Sequence, residues 1–174
     1  MRTNYQYFFL ILVSVCLSAC VGIPEGVKVV EDFISEKYLG QWYEIARLDH
    51  SFERGLQRVT AEYSLRDDGG LRVINRGFDE NKQQWKQAEG KAYFVGSETE
   101  AHLKVSFFGP FYASYVVFEL DQPDYQYAFV SGNSTSYLWL LARKPEINQD
   151  VIKHFVEKSR SLGFNTDELI FVKH

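Results

Sequence analysis

Cysteine is scarce in this chain of 174 residues: only Cys16 and Cys20 occur, both within the first twenty positions. Whatever folds after them has no thiol to pair, so it must stand on its hydrophobic core without disulfides. Thiol catalysis and cysteine metal sites are excluded from it for the same reason. The four histidines, His50, His102, His154 and His174, show no paired ligand spacing, so no metal site is expected. No Gly-X-Ser-X-Gly run and no other nucleophile–base spacing occurs, so no catalytic residue is named and no enzyme is expected. Nothing calls for a cofactor. The net charge is −4, and no Lys/Arg block reaches the density that phosphate backbones require, which excludes nucleic acid as a partner. Long apolar runs are missing too. The run from Tyr7 to Val15 is too short to cross a bilayer core of ~30 Å, which takes about 20 residues.

That short run has a different use. Arg2 precedes it and Leu17-Ser18-Ala19-Cys20 closes it, giving the basic region, apolar region and small-residue cleavage site of a secretory signal. Leu-Ser-Ala-Cys resembles the bacterial lipobox. The resemblance implies that residues 1–19 are a lipoprotein signal peptide. Cys20 then becomes the first mature residue and carries a diacylglyceryl thioether and an N-acyl chain. Three chains exceed the two signals needed for stable membrane attachment. Val21, rather than Asp, follows the cysteine, which resembles cargo for the bacterial outer membrane, anchored at the periplasmic face. Residues 20–28 contain Gly22, Pro24 and Gly26 and read as a lipidated tether. Residues 29–174 read as one domain.

What the chain has in plenty is aromatics: 14 Phe, 11 Tyr and 3 Trp, a composition suited to strands. From Trp42 the alternation puts Trp42, Glu44 and Ala46 on one face and Tyr43, Ile45 and Arg47 on the other. Ser35 is expected to cap a short turn ahead of it, with Gly40 as the stop. Further alternating runs follow at 59–65, 71–76, 85–95, 102–107, 112–120, 125–131 and 136–143. Turns such as Asp67-Asp68-Gly69-Gly70 separate them. Eight consecutive strands without a crossover helix predict an all-β fold, an eight-stranded up-and-down antiparallel barrel with room for one small ligand. Asn148 then caps a helix with Val151, Ile152, Phe155, Val156 and Leu162 on one stripe, stopped by Gly163, and residues 169–172 read as a short ninth strand.

This layout resembles the lipocalins, and three of that family's marks appear in order. Gly40-Gln41-Trp42 resembles the Gly-X-Trp motif of the first strand. Asp124-Tyr125 resembles the second motif, with Pro123 in place of its threonine. Arg143 resembles the arginine that packs across the tryptophan. With the lipobox, the resemblance extends to bacterial outer-membrane lipoprotein lipocalins. For that group it implies fatty acid or lysophospholipid binding and a homodimer. The family's strand register would give a cavity lined by Tyr63, Val73, Asn75, Val105, Phe107, Val116, Phe118, Tyr137 and Trp139, apolar with a few polar atoms. Glu44 would be a buried carboxylate partnered by Arg143 or Arg47. Phe108, Phe111 and Tyr112 would rim the cavity mouth or form a dimer contact. An envelope adaptor whose barrel carries no specific ligand is the alternative.

Overall fold

The computed structural model describes residues 21–122 and 124–174. The expected signal peptide, Cys20 and Pro123 lie outside the described residues. The stretch expected as a tether is docked rather than free from Pro24 on. Pro24 and Val27 are buried, and Val30 bridges two elements by donating to Val117 O and accepting from Ala101 N, each at 2.9 Å. A one-turn helix α1 (Ser35–Tyr38) follows. Its N-cap is Ile34 and makes no side-chain cap bond, so Ser35 is the first helical residue and not the cap.

The strands are β1 (Gly40–Arg47), β2 (Leu56–Leu65), β3 (Leu71–Asp79), β4 (Gln84–Phe94), β5 (His102–Phe108), β6 (Phe111–Leu120), β7 (Tyr127–Ser131) and β8 (Leu138–Ala142). Each pairs antiparallel with the next, and β1 pairs with both β2 and β8, which closes the barrel. Closure leaves the meander without free edges. The β1–β2 seam pairs only over Gly40–Tyr43. Beyond that point β9 (Ile170–Phe171) fills the gap, pairing with Ala46 and Arg47 while Arg58 N donates to Lys173 O at 2.8 Å. The expected ninth strand is therefore part of the barrel wall.

Helix α2 (Gln149–Ser161) forms as expected: the Asn148 side chain accepts from Asp150 N, and Gly163 follows the helix at φ +86°. Its apolar stripe covers the outer wall over β1 and β6–β8. Two cores result. One fills the barrel, around Trp42, Tyr63, Val73, Leu103, Val117 and Val130. The other lies between wall and helix, around Ile45, Val116, Phe118, Phe129, Leu140 and Phe155.

Two β-bulges decide which side chains face in, because a one-residue register slip moves every later side chain to the opposite face. In β1 the register against β8 shifts between Glu44 and Ala46. Arg47 therefore turns inward with Glu44, while Ile45 and Ala46 join the outer core. Simple alternation had placed Ala46 with Glu44 and Arg47 opposite. Between β5 and β6 the register shifts between Val105 and Phe108, so Leu103 pairs with Tyr115 rather than Val116. Val116 and Phe118, expected in the cavity, consequently lie outside it beneath α2.

Candidate ligand-binding cavity

The barrel encloses a cavity of about 630 Å³, blind at one end and open at the other. Small-molecule sites commonly span roughly 300–1,000 Å³. Of the expected lining residues, Tyr63, Val73, Asn75, Val105, Phe107, Tyr137 and Trp139 all line it, and Val116 and Phe118 do not. Glu44, expected as an inward, buried carboxylate, lines it too, and Tyr38, Glu53 and Tyr115 line it without having been foreseen as cavity residues. At the mouth stand Phe52, Phe108 and Phe111, all strongly exposed, with Phe108 at 81%.

The blind end is sealed by the motif residues. Gly40 opens β1 at φ +87°, a conformation that L side chains avoid. Trp42 is fully buried, and the guanidinium of Arg143 lies 3.9 Å above its ring. Arg143 donates to Lys37 O at 2.6 Å, Gln41 O at 2.9 Å and Tyr125 O at 3.3 Å, so it ties α1, β1 and the turn before β7 together. The Tyr125 hydroxyl accepts from Ile34 N at 3.0 Å, which holds the N-terminal segment across the same end. Asp124 sits in the turn, where its carbonyl accepts from the Gln126 side chain.

The wall carries a buried polar cluster. Arg47 donates to Glu44 Oε1 at 2.7 Å, Glu53 O at 3.0 Å and Leu56 O at 3.1 Å. Arg47, and not Arg143, is thus the partner of Glu44. Trp139 Nε1 donates to Glu53 Oε2 at 3.1 Å. Burial pushes the Glu44 carboxyl well up, and the nearby Glu53 charge pushes it further, while Arg47 opposes both. Burial raises Glu53 too, against the Trp139 hydrogen bond and Arg47. Both shifts have the same cause: a desolvated wall disfavours two negative charges beside one guanidinium. Asn75 Oδ1 is buried in the same cavity and has no partner among the described residues.

His50 stacks on Phe52 at 4.2 Å and lies 4.9 Å from Trp139. Its Nε2 is 3.4 Å from Glu53 Oε2, without hydrogen-bond alignment. Burial, with help from the Arg47 charge, pushes its pKa from 6.5 down to about 4. A depressed value contributes stability that is present above pH 6.5 and lost as pH falls through about 4. The shift corresponds to about 3 kcal/mol in all. The raised carboxyls act oppositely: their contribution is present below their unfolded value and lost as pH rises through the folded one. His50→Gln should therefore melt with a flatter acid limb between pH 6.5 and 4 than the parent. Parallel melting curves in thermal scans across that range would assign the acid loss to another group.

A closed barrel with one blind end and one deep apolar cavity is built to enclose a small hydrophobic ligand. The family model of the lipocalin-like domain matches residues 34–174. The outer membrane lipoprotein Blc of Vibrio cholerae serotype O1 is 61% identical over 165 residues, covering 95% of this chain and 96% of that protein. The protein of the same name from Escherichia coli K12 is 53% identical over 150 residues, covering 86% and 84%. Insecticyanin from the tobacco hornworm Manduca sexta shares the fold, with a TM-score of 0.69 at 20% identity, over 88% of this chain and 87% of that one.

The chain belongs to the lipocalin family, and within it to the bacterial lipoproteins of the Blc type. It is a lipocalin of the kind that binds a hydrophobic ligand, and its place is the bacterial outer membrane.

Proposed function

We propose that the barrel binds and stores or transports an amphiphilic lipid, a fatty acid or lysophospholipid, with its acyl chain in the cavity. The observation that carries this is the cavity itself: Val73, Val105, Phe107 and Trp139 give it an apolar wall, while Glu44, Glu53 and Asn75 add a few polar atoms. An acyl chain leaving water gains ~0.8 kcal/mol per buried methylene. The polar cluster reads as structural rather than catalytic, because Arg47 and Trp139 already hold its carboxyls. Residues 1–19 serve as the signal peptide and Cys20 as the lipidated residue at the periplasmic face, on the strength of the lipobox. The exposed Phe108 and Phe111 suit a homodimer contact at the mouth, or an adaptor surface if the cavity carries no specific ligand.

The barrel closes and both cores pack within residues 21–174, so that segment serves for titration. Affinity for fatty acids and lysophospholipids of graded length, followed by tryptophan fluorescence, should climb with chain length and then level off. Val105→Asp should weaken binding at least tenfold, because its charge is desolvated in the cavity. Lys104→Asp on the outer face should leave it within about twofold. A response that is flat with chain length, or equal loss from both substitutions, leaves the adaptor standing.

A further inference from the structure

Three tyrosines meet at the blind end of the cavity: Tyr38 from α1, Tyr63 from β2 and Tyr115 from β6. The Tyr63 hydroxyl donates to the Tyr115 hydroxyl at 2.9 Å, and the Tyr38 and Tyr115 hydroxyls lie 2.6 Å apart. Among the described residues these are the hydrogen bonds that the three phenol oxygens make. Each phenol brings one proton, so three protons meet two hydrogen bonds and one is left over.

Burial decides where the spare proton sits. If Tyr115 donated to Tyr38, the leftover O–H would belong to Tyr38, which is 1% exposed and packed against Phe33 and Trp42. A buried donor without an acceptor is costly. If Tyr38 donates instead, Tyr115 accepts from both neighbours with its two lone pairs and keeps its own O–H free. Tyr115 is only partly buried, and the surface it retains faces the cavity. A hydroxyl that accepts two hydrogen bonds is also a better donor. Burial raises all three phenols above their ordinary value, so they stay protonated at neutral pH.

We propose that the Tyr115 hydroxyl is a donor site at the blind end, taking a neutral oxygen acceptor carried on the buried end of an elongated apolar ligand. The inference deepens the lipid-binding reading and rests on it. An ionised carboxylate there would exchange its hydration for one phenol, while the Arg143 guanidinium is engaged by three backbone carbonyls and the Trp42 ring. A hydroxyl, ketone or ester carbonyl gives up far less. That oxygen can arrive in two ways: as an ω-hydroxyl, with the carboxylate left at the mouth, or as an uncharged head that enters first.

Calorimetric titration of residues 21–174 with hexadecanoate, ω-hydroxyhexadecanoate and hexadecanol separates these cases. The ω-hydroxy acid should bind about three- to tenfold tighter than hexadecanoate, the worth of one net hydrogen bond. In Tyr115→Phe that ratio should fall to about one, whatever the variant's affinity for hexadecanoate itself. Tyr63→Phe leaves the Tyr115 O–H in place and should preserve the ratio. A Tyr115-dependent loss for hexadecanol alone assigns the site to a head that enters first. A preference for the ω-hydroxy acid that persists in Tyr115→Phe overturns the proposal, as does equal binding of both acids by the parent together with hexadecanol no tighter than hexadecanoate, a result that needs no variant. If neither acid binds at all, the lipid-carrier reading fails first.

Discussion

Replacing Trp42 by alanine is expected to destabilise the barrel by about 3–5 kcal/mol, the range for deleting a large, fully buried aromatic. The indole is fully buried, packs against the tilted Tyr38 ring with centroids 4.6 Å apart, and donates from Nε1 to Tyr38 O at 2.8 Å. Its loss therefore opens the blind end and frees α1 as well. Arg143→Ala should cost about 2–3 kcal/mol, because three carbonyls from three segments lose a charged donor. The two residues touch through the ring face, a geometry worth roughly 0.5–2 kcal/mol. Urea denaturation of parent, single and double variants should return a coupling energy of that size. Strict additivity would mean that the guanidinium seals the end through its carbonyl contacts alone, with nothing gained from the indole.

The barrel itself was legible because its alternation is uninterrupted over long stretches and its turns carry strong signals. Asp68, for example, caps its own turn by accepting from Gly70 N at 3.2 Å. The late helix was legible for the same reason: a cap, a stripe and a terminal glycine agree. The facing of β6 was not. Val116 and Phe118 are as apolar as Tyr115 and Val117, since one pair fills the barrel and the other packs under α2. Composition cannot rank two apolar faces. Counting back from the Gly109-Pro110 turn without a bulge puts Val116 opposite Leu103, and the bulge near Phe107 moves Tyr115 there instead.

The polar cluster was hidden in two ways. The bulge in β1 carries Arg47 to the face of Glu44, against the simple period of two. Glu53 and His50 come from the irregular segment between β1 and β2, where no periodicity predicts facing. One signal was available in the sequence: Arg47, His50 and Glu53 are spaced three apart around a lone inward Glu44. Without the barrel that spacing reads as an ordinary polar turn.

That cluster sets the second large effect. Arg47→Met should destabilise by about 3–5 kcal/mol, because it leaves Glu44 buried without its cation and strips the carbonyls of Glu53 and Leu56 of a donor. The cost should be smaller at pH 5 than at pH 8. Glu44 is already pushed up by burial, and losing the guanidinium pushes it further, so low pH supplies the proton that neutralises it. The sign follows from linkage: a raised folded-state value favours the fold below the unfolded value and loses that advantage as pH rises. Adding Glu44→Gln to Arg47→Met should recover part of the loss and flatten the remaining pH dependence. The neutral amide keeps the shape without the buried charge, although the two carbonyls still lack their donor. Denaturation of the four proteins at both pH values tests this directly. A cost for Arg47→Met that ignores pH, or a double variant no better than the single, would show that packing around the arginine stem outweighs the charge it neutralises.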